Sequence, residues 1–570
     1  MDAVRLAVLK GRLEQIADEM DATLYRSAFN PIIAEAHDAS HGLYDANTGD
    51  TLIQGKSGLP VFVGAMAFAV RTAIKAAEDR GGLRDGDTWI FNDPYDGGTH
   101  LNDFKLVRPF FYQGNLFCCL ASVAHWHDVG GAVPGNYNPA ATECWQEGML
   151  IPPVRLISQG EFNDDLMHVL QSNTRLPNSL YGDLNGQLAA LKLGEQRLTA
   201  LLDEAGAEQV SEALDALRAR AVTLMQANIK KLPAGDYHCE DFLDNDGITD
   251  KPLRIAVRVG IDHASEKDGQ PRLTLDFTGT SPACDGPVNI SRATAIAACY
   301  VALKHVFPEV PANAGVLDSI DFIIADDALI SAGKPKPVGG YTETILRMID
   351  VIFGAVAKAN PGNAHAMAYG TINALSIAGQ RSDGADQGKP WVMFSFFGGG
   401  HGAHARGDGL SHGNAPISMA TIPPLEILEA SYPVAFTQWA LRPDSAGTGQ
   451  YRGGLGAIYE IELLEQNAQA FVFGERGRFA PQGVNDGKAA AANRISYCQS
   501  GAWGEPPMAS KQVGIRLVKG DRIRIETPGG GGCGSADQRE PALIERDLAA
   551  GYITGTDTKN TTSKGQETSS

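Results

Sequence analysis

Two short segments hold most of the residues in this chain that could do chemistry. The first, Asn92-Asp93-Pro94-Tyr95-Asp96-Gly97-Gly98-Thr99-His100-Leu101-Asn102-Asp103, sets carboxylates, amides and an imidazole between turn-forming glycines. The second, Ala124-His125-Trp126-His127-Asp128-Val129-Gly130-Gly131, places two more imidazoles beside another carboxylate. Neutral imidazole with carboxylate is the ligand set of catalytic zinc, manganese or iron. His100-x-x-Asp103 lets both side chains reach one ion if the segment is a helical turn or a tight loop, and His125 supplies a third ligand. Asp38, in His37-Asp38-Ala39-Ser40, is a candidate fourth. Three protein ligands leave a position for water, which a divalent ion acidifies enough to act as hydroxide near neutral pH. Asp93, Asp96, His127 and Asp128 could orient a ligand from behind. The plainer alternative is that these are ordinary core or surface histidines, since HxxD alone recurs by chance. What favours a site is that both clusters end neighbouring predicted strands.

Other chemistries fit less well. The chain has no HExxH pair, no G-x-x-x-x-G-K-[ST] phosphate loop and no Rossmann fingerprint inside a βαβ unit. Gly398–Gly409, with His401, His404 and Asp408 and with His412 beyond, competes as a metal site by composition. It is so rich in glycine that lining a pocket or packing against a partner fits equally. Pro528-Gly529-Gly530-Gly531-Gly532-Cys533-Gly534 reads either as an anion-binding nest or, preferably, as a tight structural loop. Cys533 there is not expected to be a nucleophile.

The elements that must position these residues follow from periodicity. Apolar residues at helical spacing predict a helix over 3–27, ended by Asn30-Pro31, and a second over about 60–80 closed by Gly81-Gly82. Between them, 42–53 reads as a short strand pair. Trp89-Ile90-Phe91 reads as a buried strand delivering the 92–103 loop. Val107–Tyr112 and Asn115–Ala124 form a predicted hairpin turning at Gln113-Gly114 and ending at His125. Residues 163–231 are mostly helical in pattern, 233–283 are β-rich, helices are expected near 291–306 and 342–359, and strands with long glycine loops follow 390. The expected fold is α+β and multidomain: a helical and mixed α/β N-terminal half and a β-rich, glycine-loop C-terminal half. The boundaries are 1–232 (metal-site α/β domain with a helical segment), 233–390 (mixed α/β), 391–553 (β-rich), and a disordered tail over 554–570 that is poor in apolar residues.

Composition sets outer bounds. At 570 residues the chain exceeds what one core usually organises, and 43% hydrophobic residues suffice for large cores. A formal charge of −19 argues against non-specific nucleic-acid binding, which needs Lys and Arg to neutralise phosphates. The eight cysteines are scattered with no CxxC pair, which suits a reducing compartment. Neither a signal peptide nor a long apolar run is read from the pattern, so a cytoplasmic protein with no membrane partner is the expectation.

Taken in order, these motifs resemble the hydantoinase B/oxoprolinase family over nearly the whole length. The resemblance is carried by Asn92–Asp103, by His125–Gly131, and by Glu147-Gly148-Met149-Leu150-Ile151-Pro152-Pro153. It continues through Gly182-Asp183-Leu184-Asn185-Gly186-Gln187, Asp276–Ser281, Gly315 after Val310–Asn313, and Gly339-Gly340 before Glu343-Thr344. Arg442–Gly447 and Thr527–Gly534 complete it. The resemblance implies a division of labour. A hydantoinase A-type partner with an acetate-and-sugar-kinase-like fold binds ATP and phosphorylates the oxygen of an amide, lactam or ketone enolate. The B-type chain receives the activated species, and in the amide-hydrolysing members metal-bound water opens the ring. It also implies the metal ligands His100, Asp103 and His125 with Asp38, a single divalent ion with zinc first and manganese or iron as alternatives, and a heterotetramer of two A and two B chains. Two positions depart from the family pattern: the flanks of Asp38, and Asn102 where proline is common. Glu143 and Glu147 are candidates for general base or leaving-group acid, on position alone. The expected function is thus the B-type subunit of an ATP-dependent cyclic-amide hydrolase of hydantoinase, 5-oxoprolinase or lactamase type. The alternatives are a subunit of an acetone- or acetophenone-type ketone carboxylase, and a non-catalytic structural subunit.

Overall fold

The computed structural model describes residues 1–418 and 421–555; of the tail expected over 554–570, all but the first two residues lie outside these. The chain opens on α1 (Ala3–Ser27), whose start is set by Asp2: its carboxylate accepts the amides of Val4 (3.0 Å) and Arg5 (2.9 Å). After α2 (Pro31–Ala34) come β1 (Ala39–Tyr44), β2 (Thr51–Gln54), α3 (Pro60–Glu78), β3 (Thr88–Phe91), β4 (Asp103–Tyr112) and β5 (Asn115–His125). With β6 (Val154–Ser158) and β7 (Glu161–Phe162) these strands form one antiparallel seven-stranded sheet, ordered β2-β1-β5-β4-β3-β6-β7. The predicted hairpin is therefore the centre of the sheet, and β4 begins earlier than its apolar pattern indicated, at Asp103 itself.

One face of this sheet is covered by helices α4 (Asp164–Ser172), α5 (Pro177–Ala205) and α6 (Ala207–Ile229), together with α1. The Gly182–Gln187 motif lies on α5 and is structural. Asp183 accepts the amides of Phe29 (2.8 Å) and Asn30 (3.1 Å), fixing the turn after α1. Gln187 accepts the indole N–H of Trp126 at 3.0 Å. A Cβ on Gly186 would press on Leu24 at 2.9 Å, so the glycine lets the two helices approach. α3 is long and apolar enough to cross a membrane by length and composition, but its buried face packs against the other side of the sheet and onto α7 (Arg292–Val306).

The middle of the chain adds β8 (Gly235–Leu243), β9 (Leu253–Asp262), β10 (Arg272–Asp276), α7 (Arg292–Val306), β11 (Ile320–Ile323) and α8 (Tyr341–Ala359). Its strands form a four-stranded sheet, β11-β10-β9-β8, in which the β10–β11 pair is parallel. The last third holds β12 (Ala374–Gln380), β13 (Pro390–Ser395), α9 (Leu425–Ser431), β14 (Val434–Leu441), β15 (Ala457–Leu463), β16 (Asn467–Phe473), β17 (Arg494–Gln499), β18 (Ala502–Gly504), β19 (Lys511–Val518), β20 (Arg522–Glu526) and α10 (Pro541–Ala549). They make two sheets, β13-β12-β16-β19 and β14-β15-β20-β17-β18, packed over a common core. The fold is α+β, as expected, with α9 and α10 added to a region that reads as strand and loop. The largest apolar core runs from Ile32 on α2 to Phe473 on β16 and so joins all three expected regions.

The glycine-rich segments of the last third pack backbone against backbone. A Cβ on Gly530 would overlap the His401 carbonyl, and one on Gly453 the Gly530 carbonyl. The Gly400, Gly447 and Gly531 amides donate to the Pro528, Gly530 and Met367 carbonyls at 2.9–3.0 Å. Pro528–Gly534 is thus a packing loop. Gly530→Ala is expected to destabilise the protein by about 1–3 kcal/mol or more, because the packed His401 backbone cannot retreat. A thermal melt of the variant within experimental error of the parent would contradict this packing.

Candidate metal centre

Strand register explains why the first motif residues meet. Asp103, the first residue of β4, sits directly opposite His125, the last of β5. Opposed residues of an antiparallel pair project to the same face, their Cβ atoms about 5 Å apart. On the other side of β5, Ala39 pairs with Ala124, and the His125 amide donates to the Asp38 carbonyl at 3.1 Å. Asp38, His125 and Asp103 therefore form one row across three strands at the end of the sheet. His100 joins them through a tight turn, in which the Asp103 amide donates to the His100 carbonyl at 3.2 Å.

One ligand atom each from His100, Asp103 and His125 comes within 4.8 Å of the others, and all three residues are buried. His100 Nδ1 lies 2.6 Å from Asp103 Oδ2, which also accepts the Thr99 hydroxyl. His125 Nδ1 is 3.5 Å from Asp103 Oδ1. Burial opposes ionisation of Asp103, yet the two imidazoles overcome it and hold the carboxyl well below the usual range. Among the described residues, three atoms of the trio are buried without a hydrogen-bond partner: His100 Nε2, His125 Nε2 and Asp103 Oδ1. Buried polar atoms are rarely orphaned. Two imidazoles and a carboxylate gathered in a buried cluster, each with one ligand-type atom lacking a partner, are what a divalent transition ion would satisfy, so the residues fit such an ion. Asp38 stands beside this trio and outside it. Burial raises its carboxyl to about 7, with His125 lowering and Asp103 raising it further.

The surrounding amides build the scaffold. The Asn92 side chain donates to the Leu101 carbonyl (2.7 Å) and the Met149 carbonyl (2.8 Å) and accepts from the Ile151 amide (2.7 Å), closing the whole loop. Asn102 donates to the Trp126 carbonyl at 2.8 Å, and Trp126 returns a bond to the Asn102 carbonyl at 2.9 Å. Asn136 ties Val129, Gly130 and Glu147 together with bonds of 2.7–3.0 Å.

The remaining candidates divide. His127 is buried with Nε2 unpartnered; burial lowers its pKa to about 4. Asp128 is occupied by Arg175 (2.9 Å) and by the amides of Gly130 (3.1 Å) and Arg175 (3.0 Å). Asp93 accepts the Tyr95 amide at 3.0 Å and pairs with Lys334, while Asp96 is exposed. Glu143 is exposed. Glu147 is buried, but each oxygen accepts a backbone amide, from Gly339 (2.6 Å) and Val338 (2.9 Å). It clamps the loop before α8. In the rival histidine group, His401 bonds the Asn414 carbonyl, His412 Nε2 accepts from Trp439 (3.1 Å), and Asp408 pairs with Arg539 (2.7 Å).

Four site residues were not singled out from the sequence. Tyr137, Tyr341 and Phe394 ring the imidazoles, with centroids 4.8 Å (His100–Tyr341), 5.7 Å (His100–Tyr137) and 5.7 Å (His125–Phe394) apart. Lys105, two residues after Asp103 and so on the same face of β4, is buried with one 3.4 Å bond to the Asn92 carbonyl. Tyr341 had a signal, lying between the quoted Gly339-Gly340 and Glu343. Tyr137 and Phe394 had none, since a lone aromatic in a loop or strand reads as core.

A scan of family models matches residues 2–536 to Hydantoinase B/oxoprolinase, and the chain belongs to that family. An uncharacterized protein of Methanocaldococcus jannaschii is 32% identical over 96% of this chain and 93% of its own. Caprolactamase subunit beta of Pseudomonas jessenii is 29% identical over 97% and 94%. A crystal structure of the ATP-dependent caprolactamase from that organism superposes with a TM-score of 0.84 at 28% identity, covering 97% of this chain and 94% of the other. Nucleotide-free acetone carboxylase gives a TM-score of 0.86 at 19% identity over 97% and 78%, which is a likeness of fold.

Two predictions follow the geometry. Glu147→Ala strips two buried amides of their acceptor and is expected to cost about 2–3 kcal/mol, while Glu143→Gln leaves stability unchanged; denaturant unfolding reads both. Because the folded-state pKa of His127 lies below its unfolded value, the unfolded chain binds more protons as pH falls from about 6.5 to about 4. Its contribution, on the order of 3 kcal/mol, is thus present above pH 6.5 and lost across that window. His127→Asn should flatten the pH dependence of unfolding there, and equal slopes in parent and variant would refute it.

Proposed function

We propose that this chain is the metal-bearing B-type subunit of an ATP-dependent cyclic-amide hydrolase. Its substrate is a ring amide whose oxygen a separate A-type subunit has phosphorylated, and two chains of each kind assemble. The observation that carries the reading is the buried cluster of His100, Asp103 and His125, with one ligand atom of each within 4.8 Å of the others and one ligand-type atom of each lacking a hydrogen-bond partner. A divalent ion bound there supplies Lewis acidity and lowers the pKa of water toward neutrality.

The chain's own residues account for the rest. Thr99 and His100 grip one oxygen of Asp103, which leaves the other oxygen free to bind and fixes its direction. Asn30 donates to the His125 carbonyl at 2.9 Å and anchors the end of β5. Phe394, Tyr137 and Tyr341 wall the site with rings that exclude bulk water. Amides resist attack because nitrogen donates into the carbonyl. Phosphorylating the oxygen removes that resistance, so neither a serine nucleophile nor a nucleotide loop is required of this chain, and its sequence carries no G-x-x-x-x-G-K-[ST] loop. The caprolactamase relative supports the cyclic-amide assignment and, as a named subunit, the need for a partner.

The test is metal analysis followed by reconstitution with an A-type subunit. The purified chain should hold about one divalent ion, and His100→Ala or His125→Ala should weaken metal binding by at least roughly 100-fold. In the complex, ATP hydrolysis should depend on a lactam, hydantoin or 5-oxoproline and be indifferent to bicarbonate. ATP turnover that instead requires bicarbonate and a ketone would place the chain with the carboxylases, and metal content insensitive to both substitutions would sink the metal reading.

A further inference from the structure

Glu143 is exposed and both Glu147 oxygens are occupied, so neither position-based candidate is placed to meet a substrate oxygen. Two phenols are. Tyr137 and Tyr341 retain 5% and 4% of their surface and stand against the His100 ring from different parts of the chain. Tyr137 also stacks on Phe394 at 4.9 Å, which fixes its ring plane. Tyr341 is the first residue of α8, on the segment that Glu147 holds through the Gly339 amide.

Buried tyrosines ordinarily give the hydroxyl a partner. Tyr300 reaches Gln54 at 3.2 Å and Tyr459 the Gly398 carbonyl at 3.4 Å. Among the described residues neither the Tyr137 nor the Tyr341 hydroxyl has one, and neither oxygen is among the atoms sealed from accessible space. Two O–H donors thus stand unspent beside the orphaned ligand atoms of the cluster. Donors aimed where negative charge collects on oxygen are the usual means of holding such a species.

We propose that Tyr137 and Tyr341 form a two-donor clamp for an anionic oxygen of the substrate bound beside His100, Asp103 and His125. The clamp rests on the metal reading above. Its location explains why the site is assembled from separate regions: Tyr137 comes from the loop after β5, and Tyr341 arrives only when α8 docks.

The experiment uses the full chain loaded with Co(II), whose visible spectrum reports the ligand field, and acetohydroxamate as an anionic, oxygen-donor probe. Tyr137→Phe and Tyr341→Phe keep the rings and remove only the hydroxyls. Each should leave cobalt uptake and the probe-free spectrum unchanged and weaken acetohydroxamate binding roughly tenfold or more, with the double variant weaker still. In the complex reconstituted with the A-type subunit, each should lower kcat by roughly 100-fold with a smaller effect on KM. Cobalt uptake with acetohydroxamate affinity within about twofold of the parent in all three variants would overturn the clamp alone. Loss of cobalt from the variants would also overturn it, assigning the tyrosines to holding the imidazoles. A parent chain that takes up no cobalt would overturn the metal reading and the clamp with it.

Discussion

A carboxylate at the end of a buried sheet must find positive or polar partners or lose its charge. Asp103 meets that constraint with Thr99, His100 and His125, and the meeting organises the N-terminal half. Because Asp103 and His125 are opposed across β4 and β5, the register of the central hairpin cannot slip by one residue without sending one of them to the other face. The turn before β4 must then carry His100 back over the strand end. Asn92, Asn102 and Asn136 give that irregular backbone the hydrogen bonds a regular strand would have supplied.

The same demand extends outward. Glu147 carries the constraint to the loop before α8, and α8 carries Tyr341 to the site. Behind α8 lies a second buried ionic network. Arg347 and Arg476 share Asp241 at 3.2 and 2.7 Å, Arg476 also pairs with Asp350, and Lys511 pairs with Glu475. These groups belong to β8, α8, the loop after β16 and the start of β19. Breaking one such pair leaves an uncompensated charge in the core, so the network holds the middle and last regions in one arrangement. The wall that Phe394 contributes depends on that arrangement, although Phe394 is far from the histidines in sequence.

Legibility from the sequence varied with the kind of signal. The helices α1, α3, α7 and α8 and the β4–β5 hairpin were readable because apolar periodicity over many residues leaves little choice. The short helices α9 and α10 were not, since seven to nine residues in a polar, loop-rich stretch give no sustained period. His100, Asp103 and His125 were readable as candidates because their types are scarce and clustered. Asp128 and Glu147 looked equally good by type, but partners distant in sequence occupy their carboxylates: Arg175 for one, the Val338 and Gly339 amides for the other. The glycine run near 530 read as a tight structural loop, but that it packs backbone to backbone on the segments near 400 and 453 shows only in the structure.

The sequence by itself determined the inventory: which side chains can ligate, which strands end on them, which nucleotide motifs are missing, and to which family the ordered motifs point. Those are local properties, set by residue type and short-range spacing. Only the tertiary structure decided which carboxylates are spent and which are free, that Asp38, His125 and Asp103 share one row of the sheet, and that two phenols from separate regions face His100 with their hydroxyls uncommitted. Those depend on strand register and on the docking of α8 and β13, which are fixed by burial across hundreds of residues and leave no mark in any short segment.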